Sequence, residues 1–380
     1  MAIEYVTAGE SHGKMLIGII KGVPSGLVID GEFVDGELKR RMLGLGRGAR
    51  MDIENDTAEF VSGVRAHMTT GAPIAVLLNN NDYKNWYKTI GADALENDRK
   101  LTAVRPGHAD LSGAVKYGFK DARNVSERAS ARSTAMTVAL GAVAKLYLKE
   151  LGIEIASHTT AIGIVKAKPI CDYSEINARA DLDRVRCLDE SASAKMVDEI
   201  RMAAISGDTL GGVSEIIVTG CKSGIGSYVS QENRLDGLIM GAVGAIPSVK
   251  AVEIGDGIFG SSVYGSAFHD EIYGSGGKYE RRTNRAGGIE GGMTNGEPII
   301  VRAYFKPVPT LKNGLNTIDI ATGKQAKAAS ERSDVCCVPA GGVVCEAAVA
   351  LCIAKALSDM LGGDTMEEVA ERYKQKESAV

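Results

Sequence analysis

Aromatic side chains are scarce in this 380-residue chain, at 5% of positions with a single tryptophan, and only five histidines and nine prolines are present. Charge of one sign is also lacking. The formal net charge is −4 and the pI is near 5.9, without the basic footprint of a general nucleic-acid binder. The longest apolar runs, such as Ala347 to Ala354, fall short of the ~18 residues of a membrane span, so none is expected. No basic segment followed by an apolar stretch opens the chain, so no secretory leader is expected. Seven cysteines form an odd set with no C-x-x-C pair, which excludes a disulfide frame or a zinc site and suits reduced cytoplasmic thiols. The 44% hydrophobic content is too high for a disordered chain. The glycines have no three-residue period, so collagen is excluded.

What is plentiful is glycine, 46 residues or about 12% against a usual ~7%. It clusters in loops, as at Gly44, Gly46 and Gly48, and from Gly287 to Gly292. Glycine there permits turns and close approach of backbone to ligand. Strand-like runs cover Leu16–Ile20, Ile74–Leu78, Ile153–Ile164, Val213–Val218 and Pro298–Tyr304. One helical stripe starts at Ser130, through Met136, Leu140, Val143 and Tyr147, with Gly152 as its stop. A second runs from Ser191 to near Gly207. A third, about Gly341 to Met360, is apolar on most sides and broken by Glu346 and Lys355, the pattern of an internal helix. The mixture predicts an α/β (α+β) protein of antiparallel-type strands and buried helices. The length fits two or three domains or one large one. The reading adopted is one domain over 1–380 with a C-terminal helix or tail at 362–380.

Several constellations can carry chemistry. Gly9-Glu10-Ser11-His12-Gly13 fits the G-x-S-x-G nucleophile elbow, but a strand, not a helix, follows it, so a serine hydrolase using Ser11 is disfavoured. His12 remains a candidate proton donor. Lys39 to Arg50 places Arg40, Arg41, Arg47 and Arg50 in a glycine-punctuated stretch, either an anion site or a solvated loop balanced by Asp52, Glu54 and Asp56. Arg105-Pro106-Gly107-His108-Ala109-Asp110 is a Pro-Gly turn that braces His108 between a cation and a carboxylate. Arg128-Ala129-Ser130-Ala131-Arg132 precedes a helix and suits anion binding, capping by Ser130 or Ser133, or both. The Gly-dense loop 283–296, the stiff Lys306-Pro307-Val308-Pro309-Thr310 loop, and Arg332-Ser333-Asp334 complete the set.

Taken together and in this order, these stretches resemble the chorismate synthase family from Thr7 to about Leu361. The resemblance implies a β-α-β sandwich, with antiparallel sheets enclosing long internal helices, assembled as a homotetramer. It implies a lyase that uses reduced FMN without net redox change. The substrate implied is 5-enolpyruvylshikimate 3-phosphate, converted to chorismate by anti 1,4-elimination of phosphate in the shikimate pathway. His12, His108 and Asp334 are the implied proton-handling residues, with His108 near the flavin pyrimidine edge and Asp334 near flavin N5.

The implied FMN contacts are Arg128, Ala129, Ser130, Gly241, Ala242, Gly291, Lys306, Pro307, Val308, Pro309, Thr310 and Arg332. Anions of the substrate fall to Arg41, Arg47, Arg50, Arg105, Arg132 and Ser11. Arg41 and Arg47 match positions associated with substrate or NADP, and substrate is favoured because no dinucleotide fingerprint is present. NADPH would enter only as a source of reducing equivalents. No metal, nucleic acid or membrane partner is implied. Two departures stand out. Asn124-Val125-Ser126-Glu127 replaces the glycines and serines of many members, and Arg285 replaces a histidine of some. Neither is expected to touch the acid and base residues.

Overall fold

The computed structural model describes residues 2–48, 50, 53–94, 99–275 and 278–376. Two antiparallel sheets form its outer layers. The first has four strands, in the order Glu4–Ala8, Met15–Lys21, Ile74–Asn79 and Glu59–Ser62. The second has five, in the order Val249–Ile254, Ile299–Phe305, Gly212–Thr219, Glu154–Ile162 and Val165–Lys166. Helices Thr134–Lys149 and Val338–Leu361 lie side by side between them, one against the first sheet and the other against the second. The five strand-like runs are all strands, with ends shifted by a residue or two. Glu154–Ile162 stops short of Ile164 because Gly163, at φ +56°, turns the chain.

Alternation explains the first sheet. In Met15–Lys21, Leu16, Gly18 and Ile20 face the helices while Ile17 and Ile19 face out. Small residues let the layers approach. A Cβ on Gly18 would lie 2.4 Å from Met136 Sδ, and one on Gly141 would lie 2.4 Å from Ala347 Cβ. The two central helices therefore touch backbone to backbone at Gly141. The stripe from Ser130 begins with a 3-10 turn at Ala131–Ser133, where Ser130 Oγ caps Arg132 N–H, and then becomes the Thr134–Lys149 helix. Glu190–Ser206 carries the second stripe, capped by Asp189 and stopped at Gly207 with φ +73°. By length and composition Val338–Leu361 would suffice to cross a membrane, but most of it is buried inside the protein.

A buried carboxylate joins these layers. Glu346, fully buried midway along its helix, accepts hydrogen bonds from Arg40 Nη1 at 2.8 Å, Arg40 Nη2 at 2.9 Å, Ser157 Oγ at 2.5 Å and Lys145 Nζ. Arg186 approaches it at 3.3 Å. Glu37 accepts from both Arg40 and Lys145, and Asp181 accepts from Arg40 Nε at 2.7 Å. Burial alone would raise the Glu346 carboxyl, but Arg40 and Lys145 outweigh it and hold it well below the usual range. The cluster ties the Gly31–Met42 helix to both central helices and to the second sheet. Glu346→Gln leaves the buried Lys145 and Arg186 and the partly buried Arg40 short of a counter-charge. It is expected to cost about 3–5 kcal/mol, read as a lower urea midpoint at unchanged slope.

Candidate functional site

A concave cavity of about 760 Å³ opens where the turns between these layers converge. Its size is that of a small-molecule site. The first wall is cationic. Arg40 and Arg41 end the Gly31–Met42 helix. Arg40 turns to Glu346, and Arg41 turns to the cavity, donating from Nε to Thr134 Oγ1 at 3.0 Å and from Nη2 to Ala131 O at 2.9 Å. Its Nη1 is buried with no hydrogen-bond partner. Burial, then the neighbouring Arg47 and Arg132, pull the Arg41 guanidinium down to about 9. Arg132 is held by Asp56 at 2.6 Å and Asn80 Oδ1 at 2.8 Å. The stretch is therefore no solvated basic loop, since Arg41, Glu54 and Asp56 are all buried. Asp52, the third expected counter-charge, and Ala49 lie outside the described residues.

The first histidine sits in the turn between the two leading strands, as expected, and no helix follows it. Gly9 takes φ +108°, where a side chain would press on Met15 O at 2.6 Å. Asn80 Nδ2 holds the turn by donating to Gly13 O at 2.7 Å. Ser11 Oγ accepts from Arg50 Nη1 at 2.6 Å and donates to Ser130 Oγ at 3.1 Å, so no imidazole serves it as a base. His12 Nδ1 instead lies 2.8 Å from Glu127 Oε1, and its ring stacks on Trp86 with centroids 4.0 Å apart. The expectation that the Asn124–Glu127 segment leaves the acid and base residues untouched does not hold. The segment is the Arg123–Ala129 helix, whose buried side carries Glu127 to His12.

The second histidine stands in the Pro-Gly turn, with Gly107 at φ +80°. Asp110, buried, accepts from Arg105 Nε at 2.8 Å and pairs with His108 Nδ1 at 2.5 Å. Arg105 also reaches Ser126 Oγ at 2.6 Å, and Lys306 Nζ donates to Gly107 O at 3.0 Å. Asp334, just before the Val338–Leu361 helix, accepts from Arg47 Nη1 at 2.5 Å and from Gly48 N–H at 2.7 Å. Arg332 Nη2 donates to Asp82 Oδ2 at 2.7 Å.

The cavity gathers Ser11, His12, Arg41, Arg47, Arg50, Arg105, His108, Ala129, Ser130, Arg132, Lys306, Val308, Pro309, Thr310, Arg332 and Asp334. Five expected residues do not line it. Arg128 lies on the exposed side of its helix, bonded to Thr7. Pro307 is exposed, although Lys306 and Val308 on either side of it line the cavity. Gly291 forms the exposed turn of the hairpin between Ile289–Glu290 and Met293–Thr294. Gly241 and Ala242 lie on the Leu235–Gly244 helix, which buries Leu235, Ile239 and Val243 and leaves Gly241 exposed.

The turn after that helix supplies Ile246, Pro247 and Ser248 instead, with Ser248 at φ +74°. Sequence reasoning missed these, together with Trp86, Asp82, Asn80 and Glu127. The one tryptophan, at the end of the Asn81–Asn85 3-10 helix that follows the Ile74–Asn79 strand, was a usable signal. Ile246, Pro247, Phe305, Val308, Pro309 and Val344 contribute the apolar part of the lining.

Two sheets around paired helices thus frame a small-molecule pocket lined by arginines, histidines and apolar side chains. The chorismate synthase family model matches residues 3–358. The chain is 49% identical over 382 aligned positions to a Bacillus thuringiensis protein named chorismate synthase 2, covering 98% of each. It is 48% identical to a chorismate synthase of Carboxydothermus hydrogenoformans, covering 97% of each. A solved crystal structure of chorismate synthase superposes with a TM-score of 0.80 at 36% identity, over 99% of this chain and 97% of that one. The chain belongs to the chorismate synthase family and is a lyase acting on a small molecule.

Burial would raise the Asp110 carboxyl, but hydrogen bonds from His108 and Arg105 outweigh it and hold the group low. A depressed carboxyl stabilises the fold above its unfolded value of about 3.9 and loses that contribution as pH falls towards its folded value. Asp110→Asn is therefore expected to cost about 3–5 kcal/mol at pH 7. The gap from the parent should narrow steadily below about pH 4, as followed by urea unfolding at a series of pH values.

Proposed function

We propose that this chain converts 5-enolpyruvylshikimate 3-phosphate to chorismate and inorganic phosphate by anti 1,4-elimination, with reduced FMN and no net redox change. This would be the last common step towards the aromatic amino acids. The observation that carries the reading is the buried Arg41, whose Nη1 has no hydrogen bond and only a 3.9 Å ion pair with Asp56, and whose guanidinium is depressed to about 9 beside Arg47 and Arg132. Such a cluster is electrostatically incomplete until anions enter, and the substrate brings a phosphate and two carboxylates.

The residues present fit FMN. The apolar lining suits a flat ring system, and the buried Arg41 Nη1, which has no hydrogen-bond partner, suits the anions. Ala129, Ser130, Lys306, Val308, Pro309, Thr310 and Arg332 would hold it, with Ile246 to Ser248 added. When bound there, reduced FMN would supply reversible donation of an electron. Arg41, Arg47, Arg50, Arg105 and Arg132 bind and orient the substrate anions, and Ser11 supports Arg50. His12 delivers a proton to the departing phosphate. His108, anchored by Asp110, offers its other ring nitrogen as a donor to a ligand anion. Asp334, oriented by Arg47 and Gly48, accepts the proton leaving the substrate.

Residues 1–380 are read as one domain, supported by one main hydrophobic cluster that runs from Ile3 to Tyr373 through both sheets, beside two small ones. The C-terminal segment contributes the Met366–Gln375 helix, and residues 377–380 lie outside the described set. A homotetramer is supported by the outer face of the first sheet, where Val6, Ile17 and Ile19 are in register and exposed. A cytoplasmic location is supported by seven free thiols.

An anaerobic assay with reduced FMN and 5-enolpyruvylshikimate 3-phosphate should release phosphate and chorismate in equal amounts. Release of neither overturns the reading. His12→Ala and His108→Ala should each lower turnover by roughly 10²–10⁴-fold, measured in the same assay.

A further inference from the structure

We propose that Glu127 is the positioning residue of His12, and that it makes Nε2 the nitrogen offered to the departing phosphate. The inference rests on the reading above for the identity of the leaving group. One carboxylate holds His12 at two points: Oε2 accepts from the backbone N–H at 2.7 Å, and Oε1 lies 2.8 Å from Nδ1. The Glu127 carbonyl also accepts from Ser11 N–H at 3.0 Å, which fixes the turn that carries the ring. Glu127 is only 2% exposed, so water does not compete for these bonds.

A carboxylate oxygen only accepts, so Nδ1 must carry a hydrogen in either charge state of the ring. Rotation about the side chain is blocked by Trp86, stacked 4.0 Å away at 20°. Arg99 also packs on the indole, 4.1 Å from its centroid. Nε2 is left facing the cavity, 3.4 Å from Arg50 Nη1 and 3.8 Å from Asp82 Oδ2.

The assignment gives a balanced step. As the substrate C–O bond breaks, its electron pair leaves with the phosphate oxygen. That oxygen takes the proton from Nε2. The ring is left neutral with its remaining hydrogen on Nδ1, already bonded to Glu127. No proton has to move between ring nitrogens, and no rotation is needed. This is the orienting part that a buried carboxylate plays for a catalytic histidine elsewhere.

Two measurements test it. In the reduced-FMN assay, Glu127→Gln is expected to lower kcat by about 10²-fold while KM changes by less than about threefold. Glu127→Asp should restore part of the loss. In a His12→Asn background, Glu127→Gln should cost nothing further, whereas multiplied losses would show that Glu127 acts elsewhere and overturn the proposal.

The second measurement needs no substrate, so it stands apart from the assigned reaction. Solid-state ¹⁵N spectra of histidine-labelled full-length protein at alkaline pH, with the His12 signal identified by its absence in His12→Asn, should show hydrogen on Nδ1 and none on Nε2. Glu127→Gln should mix the two tautomers. Hydrogen on Nε2 in the parent, or an unchanged spectrum in the variant, overturns the assignment. If Glu127→Gln does not fold, Trp86→Phe and Glu127→Asp carry both measurements.

Discussion

The buried carboxylate of Glu346 is the constraint on which the site depends. A carboxylate cannot lie between two helices inside a core unless cations surround it. Three do, and they come from different layers: Arg40 from the Gly31–Met42 helix, Lys145 from one central helix, Arg186 from beside the second sheet. Satisfying that one charge fixes how the layers sit. Arg41 follows Arg40 at the end of its helix, so pinning Arg40 inward sets where Arg41 can reach. Asp334 precedes the helix that carries Glu346, and Arg132 precedes the helix that carries Lys145. Three cavity residues are thus placed by a cluster that does not line the cavity.

The cavity works by a second imbalance. Arginines outnumber their free counter-charges on one wall, and the protein carboxylates that are present hold the cations in place: Asp56 on Arg132, Asp334 on Arg47, Glu54 on Arg50. Two histidines are braced in the same manner, each by its own buried carboxylate, Glu127 or Asp110. The pattern suits a reaction in which phosphate must be bound tightly and then allowed to leave with a proton. Rigid donors aimed at developing charge need no rearrangement at the moment of reaction.

Much of this was legible in residue order. The strand runs and the three helices follow from periodicity. The glycine-framed histidines, Arg41, Arg47 and Arg50, and Lys306 with Val308 to Thr310 line the cavity. Gly241, Ala242, Gly291, Pro307 and Arg128, which the resemblance implied as FMN contacts, do not line the cavity, although Arg128 and Pro307 directly adjoin residues that do. Which side of a helix or strand faces a ligand depends on where the next layer packs. For Arg128 and Glu127, adjacent in sequence, helical rotation sends one to solvent and the other to His12.

The sequence by itself determined the element types, the cluster of cations and the family, because periodicity, composition and ordered motifs are local properties of the chain. Only the tertiary structure decided the pairings. Glu346 reads as a break in an apolar helix until Arg40, 306 positions away, closes on it. Glu127 reads as a departure in a loop until the turn that carries His12, 115 positions away, comes down on it. Long-range charge pairing leaves no periodic trace in a sequence, since the partners are brought together by the packing of layers and not by spacing along the chain.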